Sequence, residues 1–357
     1  MFVSDRIFLE ACVELAAQGR MTCAPNPPVG CIIWRDGNVL GRGFHQRAGS
    51  GHAEVNALRN IEDGAHNATV FVSLEPCSFV GRTPACAQTL IDAGVARVVV
   101  AAVDPNPNVA GSGIRMLREA GIAVDVLELA SAKELIQGFT RRISQQRPWV
   151  RIKTATSLDG SVALANGASQ WITGSAARAD VQYWRARSDA IVTGVGSVIA
   201  DNPALTVRDP AYAHAQAPLR VILDSYGRTP SNAQVLRGQA ATLLVHQQGY
   251  GDVGLAHSAH VKQVHLTDGP RDLHGVLAEL AQQGCNEVLI EAGPTLVGSI
   301  VKAGLWDEWI AYVAPKILGT DSQSVADLIV THLPDAHQAR LVDTVQIGDD
   351  LRLTLRR

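Results

Sequence analysis

The sequence predicts a two-domain α/β protein, on three observations. At about 150 residues per domain, its 357 residues suggest two cores rather than one. Strand-sized apolar runs alternate with stretches of helical spacing along most of the chain. After an arginine-bearing stretch, residues 138–148, the alternation starts again, which places the boundary near Arg147–Pro148 and gives parts 1–147 and 148–357.

Each element has its own signal. A Ser/Asp start, apolar residues at Ile7, Cys12 and Leu15, and a stop near Gly19 predict a helix over residues 4–18. Pro25, Pro27 and Pro28 stiffen the following loop. Strands are predicted at 29–34 and 39–43, joined by the hairpin signal Arg35-Asp36-Gly37-Asn38. Then come a helix at 52–60, a β-branched strand at 69–74, a helix at 84–93, a strand at 97–103, a helix at 111–120 and a strand at 122–127. In the second part, strands are predicted at 150–155, 190–194, 220–224, 242–246 and 287–291, and helices at 176–186, 272–283 and 295–303.

Composition excludes several classes. With 46% apolar and 18% charged residues, extensive disorder is not expected. The first part has 14 basic and 14 acidic side chains and the remainder 17 and 20, so neither has the basic excess of a non-specific nucleic-acid binder. The longest apolar runs are strand-sized, so no membrane span is expected. Asp5, Glu10 and Glu14 interrupt the N-terminal segment, so no signal peptide is expected either. Six cysteines are too sparse for a disulfide scaffold, which points to a reduced, cytoplasmic protein in which Cys12, Cys23, Cys31 and Cys285 are small buried hydrophobes.

Cys77 and Cys86 are different. His52-Ala53-Glu54 precedes Glu75-Pro76-Cys77, and Cys86 follows after eight further residues. One imidazole and two thiolates fill three tetrahedral positions on zinc and leave the fourth for water, which zinc acidifies towards a pKa of about 7. Glu54, near the same helix start as His52, is placed to shuttle protons without ligating. The order His-x-Glu then Pro-Cys then Cys is that of zinc deaminases. Singly, each residue reads as ordinary core or helix-cap chemistry; together and in order they favour the catalytic reading. A closed structural zinc site, completed by His45 or His66, stays as the alternative.

Here the chain resembles the bifunctional riboflavin-biosynthesis deaminase–reductase family. The resemblance is carried by Pro25-Asn26-Pro27-Pro28-Val29-Gly30-Cys31, Gly43-Phe44-His45-Gln46-Arg47-Ala48-Gly49, His52-Ala53-Glu54-Val55, Leu74-Glu75-Pro76-Cys77-Ser78, Gly81-Arg82-Thr83-Pro84 and Asp104-Pro105-Asn106-Pro107. It implies an N-terminal cytidine-deaminase-like α/β/α domain, with Zn2+ on His52, Cys77 and Cys86 and with Glu54 as the catalytic proton shuttle. It also makes Asn26, His45 and Arg82 candidates for holding a phosphorylated pyrimidine. The long interval between the two cysteines fits this family better than deaminases of nucleosides or tRNA. One departure is Phe79, where family members often carry His.

In the second part, Gly194-Val195-Gly196 lacks the third small residue of a dinucleotide fingerprint, since Ile199 stands there. Leu289-Ile290-Glu291-Ala292-Gly293-Pro294-Thr295 is a strand running into a helix, read equally well as a phosphate-binding helix start or as an ordinary connection. The family resemblance covers this part through Lys153, Ser157-Leu158-Asp159-Gly160, Ser169-Gln170-Trp171-Ile172-Thr173, the run from Asp201 to Arg208, the run from Glu291 to Leu296, and Ala314-Pro315-Lys316-Ile317-Leu318-Gly319. It implies a dihydrofolate-reductase-like α/β domain using NADPH. By that likeness Ala155, Trp171, Ser197, Asp201, Gly293, Pro294, Thr295, Leu296, Val297, Gly298 and Ser299 contact the cofactor, and Ser169, Arg185, Leu205, Arg208 and Glu291 contact the substrate. Lys153 is expected to position the sugar chain or relay a proton, with Asp201 as a second candidate. The expected partners are small phosphorylated pyrimidines and further copies of the chain, as a dimer or tetramer, with no nucleic acid and no membrane. The rival readings are a tRNA or nucleoside deaminase joined to an unrelated reductase, and a zinc-stabilised binding module without activity.

Overall fold

Two β-sheets organise the chain, one in each of two compact units, Met1–Gln146 and Arg147–Arg357. The computed structural model describes residues 3–59, 61–79, 85–107, 109–250 and 259–357.

In the first unit α1 (Val3–Ala17) leads to the hairpin β1 (Gly30–Arg35) and β2 (Asn38–Phe44). Its turn residues Asp36 and Gly37 both have positive φ, 50° and 86°, the twist that closes a two-residue hairpin. Then follow α2 (Ala53–Leu58), β3 (Thr69–Val72), α3 (Cys86–Asp92), β4 (Arg97–Val100), α4 (Ser112–Glu119), β5 (Ala123–Val126), α5 (Ala130–Leu135) and α6 (Gln137–Gln145). The sheet order is β2-β1-β3-β4-β5, with β3, β4 and β5 parallel. Alternate residues of each strand serve opposite faces. Ile33, Val70, Val72, Val98 and Val100 pack with Ala57, Leu90 and Leu117 on one side. Ile32, Phe71 and Val99 pack with Leu9, Cys12, Ala132 and Ile136 on the other. The result is an α/β/α sandwich.

The second unit contains β6 (Trp149–Thr156), β7 (Ser161–Ala163), α7 (Ser175–Arg187), β8 (Ala190–Gly194), α8 (Val195–Asp201), β9 (Leu219–Leu223), β10 (Thr242–Gln247), β11 (Val261–Leu266), α9 (Leu273–Gln282), β12 (Glu287–Ile290), α10 (Pro294–Lys302), β13 (Glu308–Val313), β14 (Gln323–Ser324), β15 (Arg340–Ile347) and β16 (Asp350–Arg356). Nine strands form one sheet in the order β11-β10-β9-β8-β12-β6-β13-β16-β15. The run from β11 to β13 is parallel, and the β15–β16 hairpin adds an antiparallel edge. β7 pairs separately with β14. Val150, Val192, Val221, Leu243 and Ile290 face α9 and α10 through Leu280 and Val297, whereas Ile191, Ile222, Leu244 and Leu289 face α7 through Val181 and Trp184.

A buried ion network ties the middle of this sheet. Arg151 on β6 is fully buried, with Nε 2.6 Å from Glu308 and a terminal nitrogen 3.2 Å from Glu287. Arg187 of α7 also reaches Glu287, at 2.9 Å, and Arg356 of β16 reaches Glu308, at 3.1 Å. The guanidinium carbons of Arg151, Arg187 and Arg352 lie 5.0, 5.4 and 5.6 Å from the Trp184 ring centroid.

The predicted elements are present with ends shifted by a few residues; residue 60 of the helix predicted at 52–60 and residue 84 of the helix predicted at 84–93 lie outside the described residues. Several elements were not anticipated. α5 and α6 are short, and their contacts come from isolated apolar residues such as Ala132, Leu135 and Phe139. β15 is exposed along most of its length, so no alternation marks it, while β13 hides behind a buried Glu308 that its arginine partners neutralise.

Replacing Arg151 by Met leaves two buried glutamates with one arginine fewer between them. The expected cost is about 3 kcal/mol or more. Trp149, Trp171, Trp184, Trp306 and Trp309 lie in the second unit and Trp34 in the first, so tryptophan fluorescence against urea reads the second unit. An unchanged midpoint would show the network to be energetically idle.

Candidate active sites

In the first unit three donor atoms converge. His52 is the N-cap residue of α2, Cys86 opens α3, and Cys77 lies on the segment that leaves β3. His52 Nδ1 is 3.2 Å from Cys86 Sγ and 3.6 Å from Cys77 Sγ, and all three donors lie within 4.8 Å of one another. The Cys86 backbone N–H donates to Cys77 Sγ at 3.3 Å, and Ala87 N donates to the Cys77 carbonyl at 3.1 Å, so the two cysteines are held as one turn. Among the described residues this is the one His/Cys/Asp/Glu group with metal-ligand spacing. Three soft or borderline donors with an open fourth position are the donor set of a catalytic zinc site.

The thiols are electrostatically unequal. A hydrogen bond from Cys86 lowers the Cys77 pKa to about 4, with His52 adding to the effect. Cys86 is pushed up by that same interaction and by burial. Cys77 therefore carries the thiolate. Glu54, in the first turn of α2, is buried, and loss of solvation raises its pKa to about 7. His45 is also buried. Its Nδ1–H donates to the Gly51 carbonyl at 3.2 Å, so Nε2 accepts from Asn26 Nδ2 at 3.0 Å, and burial lowers its pKa. The His45 and His52 rings meet edge-on at 5.1 Å. His45 is thus engaged by Asn26 beside the cluster, and neither it nor His66 completes a four-ligand site.

Glu75 anchors the neighbouring loop. Its buried carboxylate accepts four backbone N–H groups, from Asp104 (3.2 Å), Gly111 (2.9 Å), Gly113 (3.0 Å) and Ile114 (3.2 Å). It thereby caps α4, whose own N-cap, Gly111, has no side chain. Gly113 is required: a Cβ there would meet the Pro76 carbonyl oxygen at 1.9 Å. Asp104 is pushed up to about 6, by burial and then by Glu75 and Cys77.

In the second unit Lys153, Arg185 and Glu291 come together from β6, α7 and the end of β12. Arg185 grips Glu291 with Nε at 2.6 Å and a terminal nitrogen at 2.8 Å, and donates to the Thr206 carbonyl at 3.1 Å. Burial alone would raise the Glu291 pKa, but Arg185, Lys153 and Arg208 bring it below the usual value. Burial lowers that of Lys153, against the pull of Glu291. Arg208 is exposed, with its backbone N–H fixed by Gln182 at 2.8 Å. Leu205 is buried, with φ at 49°. Trp171 is 62% exposed; the Arg178 guanidinium stands 4.6 Å from its ring centroid and Lys316 Nζ donates to its carbonyl. Ser169, Ala155 and Ser197 are half-buried, and Asp201 is exposed at the last turn of α8.

An uncrowded glycine edge lies at the carboxyl ends of β8 and β12. A Cβ on Gly194 or Gly196 would meet nothing within 4 Å, and one on Gly293 would meet only Ser197 Oγ, at 4.0 Å. Gly293 caps α10 with no side-chain hydrogen bond, so the first-turn amides stay open to an anion. Within the predicted run 293–299, Val297 belongs to the core, Gly298 packs on the Asp327 backbone, and the exposed Ser299 donates its hydroxyl to the Thr295 carbonyl at 2.8 Å. These features fit a dinucleotide diphosphate.

Of the predicted site residues, Arg82 lies outside the described residues. His52, Cys77, Cys86 and Glu54 form one cluster, with His45 and Asn26 beside it. Lys153, Arg185 and Glu291 form the other; among the described residues no contact joins Asp201 to Lys153. Sequence reasoning missed Glu75 as an anchor. Its signal was an acid two residues before a ligand cysteine, with a glycine-rich helix start downstream to receive it.

Residues 148–353 match the family described as RibD C-terminal domain, and residues 3–102 match the cytidine and deoxycytidylate deaminase zinc-binding region. The chain is 41% identical to the riboflavin biosynthesis protein RibD of Escherichia coli K12, over 99% of both chains. It is also similar to the crystallised RibD of Acinetobacter baumannii, with TM-score 0.91 and 40% identity over 99% of this chain and 98% of that one. A Thermotoga maritima diaminohydroxyphosphoribosylaminopyrimidine deaminase/5-amino-6-(5-phosphoribosylamino)uracil reductase gives TM-score 0.88 and 28% identity, with coverage of 99% and 98%.

In metal-stripped protein, iodoacetamide should label Cys77 at about pH 6, well ahead of Cys12 and Cys31, whose buried thiols are pushed up. Peptide mass mapping reads this; labelling of Cys77 only at alkaline pH would contradict the assigned thiolate. Glu75→Gln turns an amide group towards N–H donors and should cost about 2 kcal/mol. Calorimetric unfolding checks it, and a wild-type transition would show that the four contacts do not matter.

Proposed function

The chain belongs to the RibD family of bifunctional riboflavin-biosynthesis enzymes, with a deaminase domain and a reductase domain, and from that premise we propose how its own residues divide the two reactions. The first unit hydrolytically deaminates 2,5-diamino-6-(5-phosphoribosylamino)pyrimidin-4(3H)-one. The second reduces the ribosyl group of 5-amino-6-(5-phosphoribosylamino)uracil to ribityl with NADPH. The observation that carries this reading is the three-donor cluster His52, Cys77 and Cys86 with Glu54 buried beside it.

His52, Cys77 and Cys86 hold the metal. Zinc, when bound there, supplies the Lewis acidity that makes water nucleophilic near neutral pH. Glu54 takes a proton as water oxygen adds to the amine-bearing ring carbon. It returns that proton to the exocyclic nitrogen, the carbon–nitrogen bond breaks and ammonia leaves. Asn26 holds the His45 imidazole neutral and oriented, so that His45 offers a fixed edge to the substrate.

NADPH, when bound in the second unit, would supply the hydride that C1′ of the opened ribose accepts. Lys153 delivers the proton that goes to the atom formerly double-bonded to C1′; burial weakens its hold on that proton. Glu291, fixed by the Arg185 fork, orients Lys153. Arg185 is thereby engaged, which leaves the exposed Arg208 to meet the substrate phosphate. Gly293 to Ser299 would hold the cofactor, with the amides at the start of α10 available to its diphosphate and with Ala155, Trp171 and Ser197 as further contacts.

Among the described residues no helix is long and apolar enough to cross a membrane. We place the enzyme in the cytoplasm as a homodimer or tetramer acting on small phosphorylated pyrimidines. Support for self-association comes from β15, an exposed sheet edge carrying Leu341 and Val342 at 55% and 39% exposure.

The test is incubation with the diaminopyrimidine substrate, with and without NADPH, followed by product masses. The expected products are the deaminated uracil alone without NADPH and the ribityl compound with it; absence of ammonia would sink the deaminase assignment. Glu54→Gln should keep zinc by metal analysis, lose ammonia release by about 100-fold or more, and still reduce supplied uracil intermediate. Lys153→Met should show the reverse pattern, and full reductase turnover in that variant would remove Lys153 from the mechanism.

A further inference from the structure

The phosphate role proposed for Arg208 falls to a residue on a segment without helix or strand, residues 202–209, which follow α8. A guanidinium on such a segment reads a ligand only if the backbone beneath it is fixed. The backbone here is also in an unfavourable conformation. Asn202 and Leu205 both lie in the left-handed region, with φ of 43° and 49°, and Leu205 is buried in the same core cluster as Val181 and Trp184 of α7. A bulky side chain in that region is uncommon and persists only where the surroundings over-determine it.

Those surroundings come largely from α7. Gln182 and Arg185, three residues apart, share a face of that helix. Gln182 Oε1 accepts the Arg208 backbone N–H at 2.8 Å, and a terminal nitrogen of Arg185 donates to the Thr206 carbonyl at 3.1 Å. At the start of the segment Asn202 Oδ1 accepts the Gln234 N–H at 2.7 Å. The two pins from α7 differ in one respect. Arg185 also grips Glu291, at 2.6 and 2.8 Å, so its pin belongs to the Lys153–Glu291 cluster. Gln182 has no such second task. It is 8% exposed between the core residues Val181 and Trp184, and among the described residues the Arg208 N–H is the one hydrogen-bond partner of its side chain. A buried amide is costly unless it is hydrogen-bonded, so this single bond is what the residue is there to make. The guanidinium that follows from that anchor is turned towards the site, since its charge helps to hold the Glu291 carboxyl below its usual range.

Building on the reading of Arg208 as the phosphate contact, we propose that Gln182 is a positioning residue for phosphate recognition. Its bond to the Arg208 N–H sets where that guanidinium stands, and with it the preference of the reductase for a phosphorylated over an unphosphorylated substrate. Gln182 acts through Arg208 alone.

The test gives the full-length protein two substrates with NADPH, 5-amino-6-(5-phosphoribosylamino)uracil and the same molecule without its phosphate. The quantity read is the ratio of kcat/KM for the first to that for the second. Gln182→Met keeps the length of the side chain and removes the acceptor. It should lower the ratio by about tenfold, with a larger rise in KM than fall in kcat for the phosphorylated substrate. Arg208→Ala should lower the ratio at least as far, and adding Gln182→Met to it should lower it no further, because the two residues act along one path. Equal loss on both substrates in Gln182→Met, which a structural or folding defect would give, overturns the proposal. So does an unchanged ratio, or a further tenfold fall in the double variant. Arg208 and wild type separate the levels. If Arg208→Ala removes the phosphate preference and Gln182→Met does not, only this inference fails. If Arg208→Ala keeps the preference, the phosphate assignment of Arg208 fails with it, and no reduction of either substrate by wild type defeats the reductase reading beneath both.

Discussion

Parallel strand pairing is the constraint on which both candidate sites depend. Parallel strands run the same way, so the loops leaving their carboxyl ends gather at one edge of the sheet, while both faces stay covered by helices. In the first unit, β3 and β4 are parallel neighbours. The segment leaving β3 carries Glu75 and Cys77, and the segment leaving β4 carries Asp104. In the second unit β8 and β12 are parallel neighbours, and their ends supply Gly194, Glu291 and the uncapped start of α10. Parallel pairing gathers these strand ends, while His52 and Glu54 arrive on α2, after the antiparallel hairpin, and Arg185 on α7.

Gathering polar residues at the edge of an apolar sheet creates a second requirement, since a buried charge without partners is unstable. The two units meet it differently. Glu75 is stabilised by four backbone amides that replace its water shell, a solution that also fixes Asp104, Gly111 and the start of α4. The second unit uses arginine forks: Arg185 on Glu291 at the cofactor edge, and Arg151 with Arg187 and Arg356 on Glu287 and Glu308 deeper in the sheet. Amides hold a loop and leave the carboxylate its charge, whereas the arginine network cancels charge and ties β12, β6, β13, β16 and α7 to one another.

Much of this was legible in the sequence where one residue type does one job. The strand-sized apolar runs at 29–34 and 69–74 predicted strands, and Arg35-Asp36-Gly37-Asn38 predicted the hairpin, in which Asp36 and Gly37 take positive φ. His52, Glu54, Cys77 and Cys86 were legible as a set because zinc chemistry demands those atoms. The missed features depend on partners remote in sequence. Glu75 looks like a motif residue until the amides of residues 104–114 are seen around it. Glu308 breaks an apolar pattern until Arg151 is placed beside it. β15 shows no alternation because neither face is buried within one chain. Tyr226 and Tyr250 lie 24 positions apart and meet only because β9 and β10 are neighbours.

The near-balance of charge takes on a physical meaning here. A protein that binds phosphorylated pyrimidines and a dinucleotide has no excess of basic residues, with a formal net charge of −3. Most arginines near the second site are already matched: Arg185 by Glu291, Arg187 by Glu287, Arg352 by Asp180. Cancelling these positives locally lowers the long-range field that would attract a polyanion. Arg208, by contrast, is exposed, and exposed guanidinium groups meet phosphate at short range. Such groups act over a hydrogen-bond length and demand shape as well as charge. A small phosphorylated metabolite satisfies both demands without a large positive field.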